Sequence, residues 1–468
     1  MTMTTALGDA TVAELRSAVA GVVILPADSE YETARRTWNH AIDHHPAMVV
    51  RCTGSADVVA AVRFARSEGL AIAVRGGAHS VAGFSSCDDG LVLDLTQMNA
   101  VHVDAAAGRA RAQGGTTWKQ FDRETQLFGL ATTGGLVSST GLGGFTLGGG
   151  IGHLVRKYGL TCDNLISADV INADAQVVRA AQDENPELFW ALRGGGGNFG
   201  VVTSLELAVH HVGPTVLGGA IFYPGDQAAQ VISGWRDAIT DAPDELTSTL
   251  NLMGAAPPVP FLPEAVHGSR VAVVVACYAG DIDLGETAVA ALRRLGDPIA
   301  DVLAPMPYVA LQQLVDPLWE AGAANYFTSV FLDGVPDPAV DTLVQAHGRS
   351  APPPVTTELH VHHLGGAVSR VDDDSTPFAH RRSPFLLNCV GRTQSAADLP
   401  PIVEWARRTR EDMSRFGGGP YVNFTGEGGA ERAAYPSQTY ELLAEVKRTY
   451  DPDNVFRFNQ NISPTPAG

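Results

Sequence analysis

Glycine occupies nine of the nineteen positions in residues 134–152, GGLVSSTGLGGFTLGGGIG. An ordered glycine loses more conformational freedom than any other residue, so a folded chain keeps so many only where its backbone comes very close to something else. Two more stretches have the same character, RGGAHS at residues 75–80 and LRGGGGNFG at residues 192–200. Three such turns within about one domain length predict one extended, bulky ligand that passes all of them.

The chain has 468 residues, more than one hydrophobic core usually supports, so two or more domains are expected. Hydrophobic residues make up 45% of the chain and charged residues 18%, which is typical of a water-soluble globular protein. The formal net charge is −19, and Lys and Arg form no cluster. Because phosphate groups are bound by clustered Lys and Arg, we expect neither a nucleic-acid nor a membrane partner.

The cysteines form neither a CxxC pair nor a metal-binding pattern; they are Cys52, Cys87, Cys162, Cys277 and Cys389. This scatter favours a reduced, cytoplasmic protein. Residues 18–25 are apolar, but the stretch is short, lacks a basic lead-in and runs into Pro26. We therefore expect neither a secretory signal nor a membrane span.

The first 210 residues are expected to mix helices and strands. The capping-box spacing of Thr11 and Glu14 predicts the start of a short helix. A second helix is predicted from Ser55, followed by a strand at residues 71–74 that leads into the 75–80 turn. Periodicity and turn residues predict further helices from Trp118 and Asn185, and strands at 91–95, 100–104, 165–171, 176–180 and 201–209.

The character of the chain changes after HHVGP at residues 210–214, which is typical of a domain boundary. Strands then alternate with amphipathic helices, and this alternation predicts a sheet covered by helices on one side. The predicted strands are 271–278, 326–332, 358–364 and 385–390, and the predicted helices are 227–239, 286–295, 340–347, 399–415 and, in the tail, 438–450.

The sequence GGGNFG at residues 195–200 formally satisfies the GxGxxG pattern of dinucleotide-binding folds. That pattern requires a preceding strand and a following helix, whereas here a helix precedes and a strand follows. No glycine turn continues into Gly-Lys-Ser or Gly-Lys-Thr, which argues against a P-loop. The remaining interpretation is a cradle whose backbone N–H groups solvate a diphosphate without a lysine.

Several longer motifs occur together and in order. The N-terminal part has RGGAHS (75–80), GLGGFTLGGGIG (141–152), RKYGLTCDN (156–164) and FWALR (189–193), and the tail has YVNF (421–424) and DPDNVF (451–456). This combination resembles the berberine-bridge-enzyme-like flavin oxidases of the vanillyl-alcohol oxidase superfamily, which have a para-cresol-methylhydroxylase-type FAD-binding domain. The resemblance covers nearly the whole chain, so it is far more specific than any single motif.

The resemblance implies an α+β, two-domain flavoprotein. Its FAD-binding domain would be built from residues 1–210 and closed by the C-terminal tail, residues 419–468. Residues 211–418 would form a substrate-binding domain over the flavin ring, with an antiparallel sheet covered by helices. This division suits two cores of ordinary size.

The resemblance also implies which residues bind FAD. His79 matches the histidine that the family bonds to the flavin 8α-methyl group, although a loop histidine could instead only hydrogen-bond the cofactor. Val137 stands where some relatives form a second, cysteinyl link, so we expect a covalent bond through His79 only. The expected set is Arg75, Gly76, Gly77, Ala78, His79, Ser80, Gly83, Val137, Ser138, Thr140, Gly141, Gly144, Gly149, Gly152, Val202, Asn459 and Asn461.

The candidate base lies on the predicted strand TELHVHHL, residues 357–364. A period of two places Glu358, His360 and His362 on one face and His363 on the other. Related enzymes direct polar residues of such a strand toward the flavin, so Glu358 and His360 are the leading catalytic candidates, with His362 as a substrate-binding residue. Two alternatives remain: a half-exposed strand with solvated side chains, and a metal site at His360 and His362, which lacks companion ligands.

The tail supplies a third catalytic candidate. Tyr421 matches the first tyrosine of a Tyr-x-Asn-Tyr motif that provides a phenolate base in sugar-oxidising relatives, but the second tyrosine is Phe424 here, which argues against sugar chemistry. Asn423 is a candidate substrate contact, and a packed core tyrosine is the alternative for Tyr421. Residues without any partner evident in sequence are interpreted as structural or surface groups: Trp38, His44, His45, His210 and His211.

Three functions are compatible with these residues. The first is an FAD-dependent oxidase that removes hydride and a proton from a small organic substrate, an alcohol, amine or secondary metabolite, and passes the electrons to O2. The second is a dehydrogenase with another acceptor, and the third is a flavoprotein that sequesters a small metabolite. In the family a residue beside the cradle controls oxygen access, and the small Thr140 at that position favours the oxidase.

Overall fold

A computed structural model describes residues 8–351 and 354–465. Its first sheet has the order β1-β2-β4-β3, with β1 antiparallel to β2 and the two remaining pairs parallel. Apolar residues of α3, such as Val58 and Val62, pack on this sheet. The elements of this layer are α1 (Asp9–Ala18), β1 (Val22–Ile24), α2 (Tyr31–Arg35), β2 (Met48–Arg51), α3 (Ser55–Ser67), β3 (Ile72–Arg75) and β4 (Leu91–Asp94).

A second, antiparallel sheet has the order β5-β6-β10-β8-β9, and the short strands β7 and β11 pair beside it. The glycine-rich segment runs through α5. The elements are β5 (Val101–Asp104), β6 (Arg109–Gln113), α4 (Trp118–Thr125), β7 (Leu130–Ala131), α5 (Leu142–Leu147), α6 (Val155–Tyr158), β8 (Leu165–Ile171), β9 (Val177–Ala181), α7 (Pro186–Leu192), β10 (Val201–Ala208) and β11 (His210–His211).

The third sheet is nine-stranded and antiparallel throughout, in the order β15-β12-β14-β13-β18-β19-β17-β20, with β16 also paired to β12. Its elements are β12 (Thr215–Pro224), α8 (Ala228–Ala238), β13 (Leu246–Met253), β14 (Val271–Tyr278), α9 (Ile282–Val289), β15 (Ala300–Asp301), β16 (Ala304–Pro307), α10 (Tyr308–Gln312), β17 (Ala324–Leu332), α11 (Asp337–Gly348), β18 (Thr356–His363), α12 (Ala367–Arg370), β19 (Phe385–Thr393), α13 (Leu399–Ser414) and β20 (Gly417–Gly418).

The two faces of the nine-stranded sheet have different neighbours. Helices α8, α11 and α13 cover one face, where Trp235, Leu343 and Met413 join sheet residues such as Leu250 and Val361 in the largest core cluster. The alternate residues of the same strands line a cavity on the other face. The α+β class and the helix-covered antiparallel sheet are therefore confirmed.

The tail returns to the second sheet through α14 (Glu431–Ala434) and α15 (Ser437–Tyr450). Leu443 of α15 packs in one core cluster with Leu188 of α7 and with Phe199. In the described residues, no helix is long and apolar enough to cross a bilayer.

Two local predictions are corrected by the structure, and two strands were missed. Thr11 does not begin a helix, because α1 already starts at Asp9 with Gly8 as its N-cap. The helix predicted at 286–295 begins at Ile282, because the Asp281 side chain accepts hydrogen bonds from the next backbone N–H groups and fixes the start there. Strands β12 and β13 were not predicted: Gly218 and Gly219 interrupt the apolar run of the first, and polar residues alternate along the second.

Candidate functional site

One cavity of about 490 Å³ lies between the glycine-rich turns and the open face of the nine-stranded sheet. Residues 76–80, 140–148 and 195–198 supply lining groups on the first side, and β13, β14, β18 and β19 supply them on the other. All three glycine-rich stretches therefore reach one continuous space, as a single extended ligand requires. Its volume is in the range of ligand and cofactor sites.

The glycines serve two different purposes. A Cβ on Gly77 would lie 2.2 Å from the backbone nitrogen of Gly141, and a Cβ on Gly152 would lie 1.8 Å from the Gly134 carbonyl oxygen. At these positions glycine allows two turns to pack against each other, so a ligand explains only part of the glycine content. A Cβ on Gly144, in contrast, meets nothing within 4 Å, and this residue lines the cavity.

Most of the predicted cofactor residues line the cavity. They are Gly76, Gly77, Ala78, His79, Ser80, Val137, Thr140, Gly141, Gly144, Val202 and Asn459. The Asn459 side-chain oxygen is buried and has no hydrogen-bond partner, although the amide nitrogen donates to the Gly197 and Phe456 carbonyl oxygens. An unpaired buried oxygen beside a glycine turn is suited to a ligand that donates a hydrogen bond.

Six predicted cofactor residues do not line the cavity: Arg75, Gly83, Ser138, Gly149, Gly152 and Asn461. The Arg75 guanidinium donates to the carbonyl oxygens of Ala34, Arg35 and Ser85 and so holds the turn from behind. Ser138 instead binds the Asp316 carboxylate through both its N–H and its hydroxyl. Arg75 and Ser138 thus support the cavity wall from behind. A sequence motif does not distinguish such support from direct contact with the ligand.

His79 projects from the end of the first turn and is partly exposed to the cavity. Its Nε2 lies 2.9 Å from the Ser139 hydroxyl, and the Trp38 indole stacks on its ring at 4.8 Å between centroids. Burial lowers the pKa of His79 to about 4. Trp38, interpreted from the sequence as a structural or surface residue, also lines the cavity; nothing local in the sequence predicts its contact with His79.

The strand β18 directs Glu358, His360 and His362 into the cavity, while His363 faces the helices. His360 Nε2 and Glu358 Oε2 are 2.6 Å apart, and both side chains are largely buried. A half-exposed, solvated strand is therefore excluded. His363 instead pairs with Arg156 Nη1 at 2.9 Å.

The neighbouring strands place two amides beside the pair. Asn251 of β13 and Asn388 of β19 stand opposite His360 in register, and both line the cavity. The side-chain oxygen of each is buried without a hydrogen-bond partner. Sequence analysis missed both residues, because a single asparagine in a strand carries a signal only when the register of the adjacent strand is known.

His362 and His153 add two neutral imidazoles to this wall. Burial is the largest cause that lowers the pKa of His362 to about 3, and burial lowers that of His153 to about 4. In the described part of the chain, the lining has one acidic side chain, Glu358, and no Lys or Arg. Residues 8–351 and 354–465 also contain no group of three metal-ligating side chains.

Tyr421, the third catalytic candidate, does not line the cavity. Its hydroxyl accepts hydrogen bonds from the Gly150 N–H at 2.8 Å and the Asn423 amide at 2.9 Å, and burial raises its pKa. Phe331, Phe378 and Phe424 surround its ring. This packing agrees with the alternative interpretation of Tyr421 as a core tyrosine, whereas Asn423, the candidate substrate contact, lines the cavity.

Comparison with known proteins gives matches along the same chain. Residues 46–181 match the family model described as "FAD binding domain", and residues 420–463 match "Berberine and berberine like". An FAD-linked oxidoreductase of Dictyostelium discoideum is 33% identical over 457 residues, covering 96% of each chain. The (R)-6-hydroxynicotine oxidase of Paenarthrobacter nicotinovorans is 32% identical over 466 residues, covering 95% of this chain and 97% of its own.

Solved structures agree with this assignment. The crystal structure of 6-hydroxy-D-nicotine oxidase from Arthrobacter nicotinovorans has a TM-score of 0.86 at 29% identity and covers 96% of this chain and 98% of its own. A glucooligosaccharide oxidase from Acremonium strictum, described with a 6-S-cysteinyl, 8α-N1-histidyl FAD, has the same fold, with a TM-score of 0.86 at 22% identity over 98% of this chain and all of its own. This chain therefore belongs to the berberine-bridge-enzyme-like family of FAD-linked oxidoreductases, within the vanillyl-alcohol oxidase superfamily.

Proposed function

We propose that this protein is an FAD-dependent oxidase that removes hydride and a proton from a small organic substrate and returns the electrons to O2, giving H2O2. The observation that carries the proposal is the Glu358–His360 pair, which lines the same cavity as the glycine turns. Hydride removal from a carbon that bears an N–H or O–H group requires a base for the proton, and this pair is suited to that role.

The residues of the cavity fit FAD. Gly144 leaves space on the cavity side where a side chain would intrude, and Asn459 offers an unpaired acceptor nearby. The turns at residues 76–80 and 195–198 supply backbone groups for an extended ligand. Bound FAD would supply the hydride acceptor, and the protein's own side chains would bind and orient the substrate and take up its proton.

We propose a covalent link to FAD through His79 only. His79 borders the cavity, and burial keeps its imidazole, the nucleophile of the proposed link, neutral. Val137, which also lines the cavity, cannot form the cysteinyl bond described for the glucooligosaccharide oxidase. A histidine at position 79 and a valine in place of a cysteine at position 137 therefore support a single link.

The pair would work as one base unit. When His360 Nε2–H donates to the Glu358 carboxylate, Nδ1 is the unprotonated nitrogen that accepts the substrate proton. The carboxylate then stabilises the imidazolium that forms, as a carboxylate does beside a catalytic histidine elsewhere. Asn251 and Asn388 flank His360 and would orient the substrate through their unpaired oxygens.

The lining also indicates the substrate class. Glu358 and the two asparagine oxygens accept hydrogen bonds, while Val259, Phe261 and Leu318 give an apolar wall. We propose a neutral or cationic substrate with an N–H or O–H donor on an apolar body, such as an amine or alcohol. 6-Hydroxynicotine, the compound for which one relative is named, belongs to this class of substrate.

We also propose residues 1–210 with 419–468 as the FAD-binding domain, and 211–418 as the substrate domain. All strands of the first two sheets lie before residue 212, and all strands of the third lie between residues 215 and 418, which supports this division. The three largest core clusters follow the same division, and in one of them α15 of the tail packs with the second sheet.

The test is anaerobic mixing of the holoenzyme with a panel of amines, alcohols, sugars and carboxylates, followed by O2. We expect an amine or alcohol to bleach the flavin and O2 to restore its colour rapidly. Thr140→Leu, at a cavity-lining residue, should slow only the second step. Bleaching with slow reoxidation would indicate a dehydrogenase, and binding without bleaching by any compound would indicate sequestration.

A further inference from the structure

The imidazole of His79 is held by two residues on different segments. Trp38, which lies between α2 and β2, stacks on the ring at 4.8 Å with an interplanar angle of 20°. Ser139, in the turn before α5, places its hydroxyl 2.9 Å from Nε2. One contact sets the plane of the ring and the other engages one of its two nitrogens.

Trp38 is itself fixed. Its indole N–H donates to the Trp319 carbonyl oxygen at 2.8 Å, and its backbone N–H donates to the Ala78 carbonyl oxygen at 3.2 Å. Trp319 and Phe327 pack against its ring. The stacking surface offered to His79 is therefore a rigid plane, since loss of the stack would expose a buried indole.

Ser139 is equally constrained. The neighbouring Ser138 donates its N–H and its hydroxyl to the Asp316 carboxylate at 2.8 and 2.5 Å. The carbonyl oxygens of Ser138 and Thr140 accept from the first N–H groups of α4, those of Lys119 and Trp118. The backbone is thus anchored on both sides of Ser139, which fixes the position from which its hydroxyl reaches Nε2.

We propose that Trp38 and Ser139 are positioning residues that orient the His79 imidazole for bonding to the flavin through Nδ1. The proposal rests on the proposed attachment of FAD at His79. With Nε2–H donating to Ser139, Nδ1 carries the lone pair. The neutral ring that burial maintains is the nucleophilic form at pH 7.

The Ser139 hydroxyl can hydrogen-bond Nε2 both before and after His79 bonds to the flavin. The new bond joins Nδ1 to the flavin 8α carbon and replaces one C–H bond of that methyl group. The hydrogen of that bond and the Nε2 hydrogen leave as protons, the C–H electron pair reduces the flavin ring, and O2 takes up that pair with two protons as H2O2. Nε2 changes from donor to acceptor, and a serine hydroxyl can accept before the step and donate after it.

The test follows attachment itself. Apo protein is mixed with FAD in air, and acid-precipitated samples are assayed over time for flavin fluorescence on a denaturing gel, while equilibrium FAD binding is measured separately. We expect Ser139→Ala to slow attachment about 10-fold, the value of one hydrogen bond. Trp38→Leu should slow it by up to about 10²-fold, because the ring loses its orientation. Trp38→Phe should restore much of the rate, and initial FAD binding should change little in Ser139→Ala, because Ser139 does not line the cavity.

The matched control is Trp405→Leu, which removes a tryptophan of α13 that donates to the Ala346 carbonyl oxygen, away from His79. It should attach flavin at the wild-type rate. Wild-type rates in both Ser139→Ala and Trp38→Leu would overturn the positioning role while leaving the His79 link intact. Absence of covalent flavin in the wild-type protein, or a flavopeptide without His79, would overturn the proposed attachment and this inference together.

Discussion

Two close pairs of ionisable side chains illustrate how this molecule uses buried charge. Lys447 and Asp451 in the tail are 2.6 Å apart and fully buried, and Glu358 and His360 in β18 are also 2.6 Å apart. Lys447 Nζ donates to Asp451 and to the carbonyl oxygens of Asn198 and Phe456, so all three of its donors are used. The Asp451 carboxylate also accepts from the backbone N–H groups of Val455 and Phe456.

The cavity pair is far less satisfied. Within the described residues, Glu358 accepts a side-chain hydrogen bond from His360 alone, and both side chains face the cavity. A saturated buried pair can hold two segments together, but it has no capacity left for a substrate. The difference separates a pair that fixes the tail to the 194–200 turn from a pair that is available for proton transfer.

The largest effect is expected at the cavity pair. Glu358→Gln keeps the shape but removes the charge, and His360→Ala removes the proton acceptor. Each should lower the rate of anaerobic flavin reduction by about 10²–10⁴-fold, the usual value of general-base catalysis. Stopped-flow reduction over a range of pH measures this effect, and the unfolding midpoint of Glu358→Gln should stay near that of the wild type. Wild-type reduction rates in both variants would contradict a role of the Glu358–His360 pair in proton transfer.

The next effect is at the tail pair. Lys447→Met leaves Asp451 buried without its cation, which should lower the free energy of unfolding by about 3–5 kcal/mol. Urea unfolding measures the loss. Adding Asp451→Asn, which removes the charge left behind, should recover part of the stability, and flavin reduction at 25 °C in the folded fraction should be unchanged. A single variant as stable as the wild type would contradict the structural role.

Tyr421 is a buried neutral group, in contrast to the two ionisable pairs. Tyr421→Phe removes the acceptor of the buried Gly150 N–H, which should cost about 1–3 kcal/mol of stability. The pH profile of flavin reduction should keep its shape, because the hydroxyl does not reach the cavity. A variant that folds normally but loses its reduction step would return Tyr421 to the catalytic residues.

The smallest effect concerns the neutral histidines. Burial holds the pKa of His347 at about 4 and is the main reason that the pKa values of His362 and His363 lie at about 3. Between pH 6.5 and 4 the unfolded chain binds protons at these residues that the folded chain does not bind, so stability should fall as pH decreases through this window. Urea unfolding at pH 7, 6 and 5 measures the slope.

His347 gives the control for this slope, because it lies outside the cavity lining and both its ring nitrogens are unpaired. His347→Gln should reduce the slope by at most about 1.4 kcal/mol per pH unit, the contribution of one titrating group. The pH dependence of flavin reduction should be unaffected. If the slope is the same in His347→Gln and in the wild type, then His347 is protonated in the folded protein over the same pH range as in the unfolded chain.

The sequence predicted some features well because they depend on local geometry. A period of two was enough to place Glu358 and His360 on one strand face and His363 on the other, since successive side chains of any strand alternate. The co-occurring glycine motifs gave the family and the cofactor for a similar reason. Each motif is a run of neighbouring residues, and it is identified without knowledge of the packing around it.

Other features were decided by contacts between distant segments. Which glycines face the ligand depends on how two turns pack, as at Gly77 and Gly141. Asn251 and Asn388 flank His360 only because strands far apart in the chain pair in that register.

What the sequence determined by itself was the family, the class of fold and the strand that carries the candidate base, because motif and periodicity are properties of neighbouring residues. The tertiary structure alone decided that Tyr421 is a core residue and that Trp38 stacks on His79. Both depend on side chains separated by tens to hundreds of residues, and only the packing of the whole chain brings such residues together.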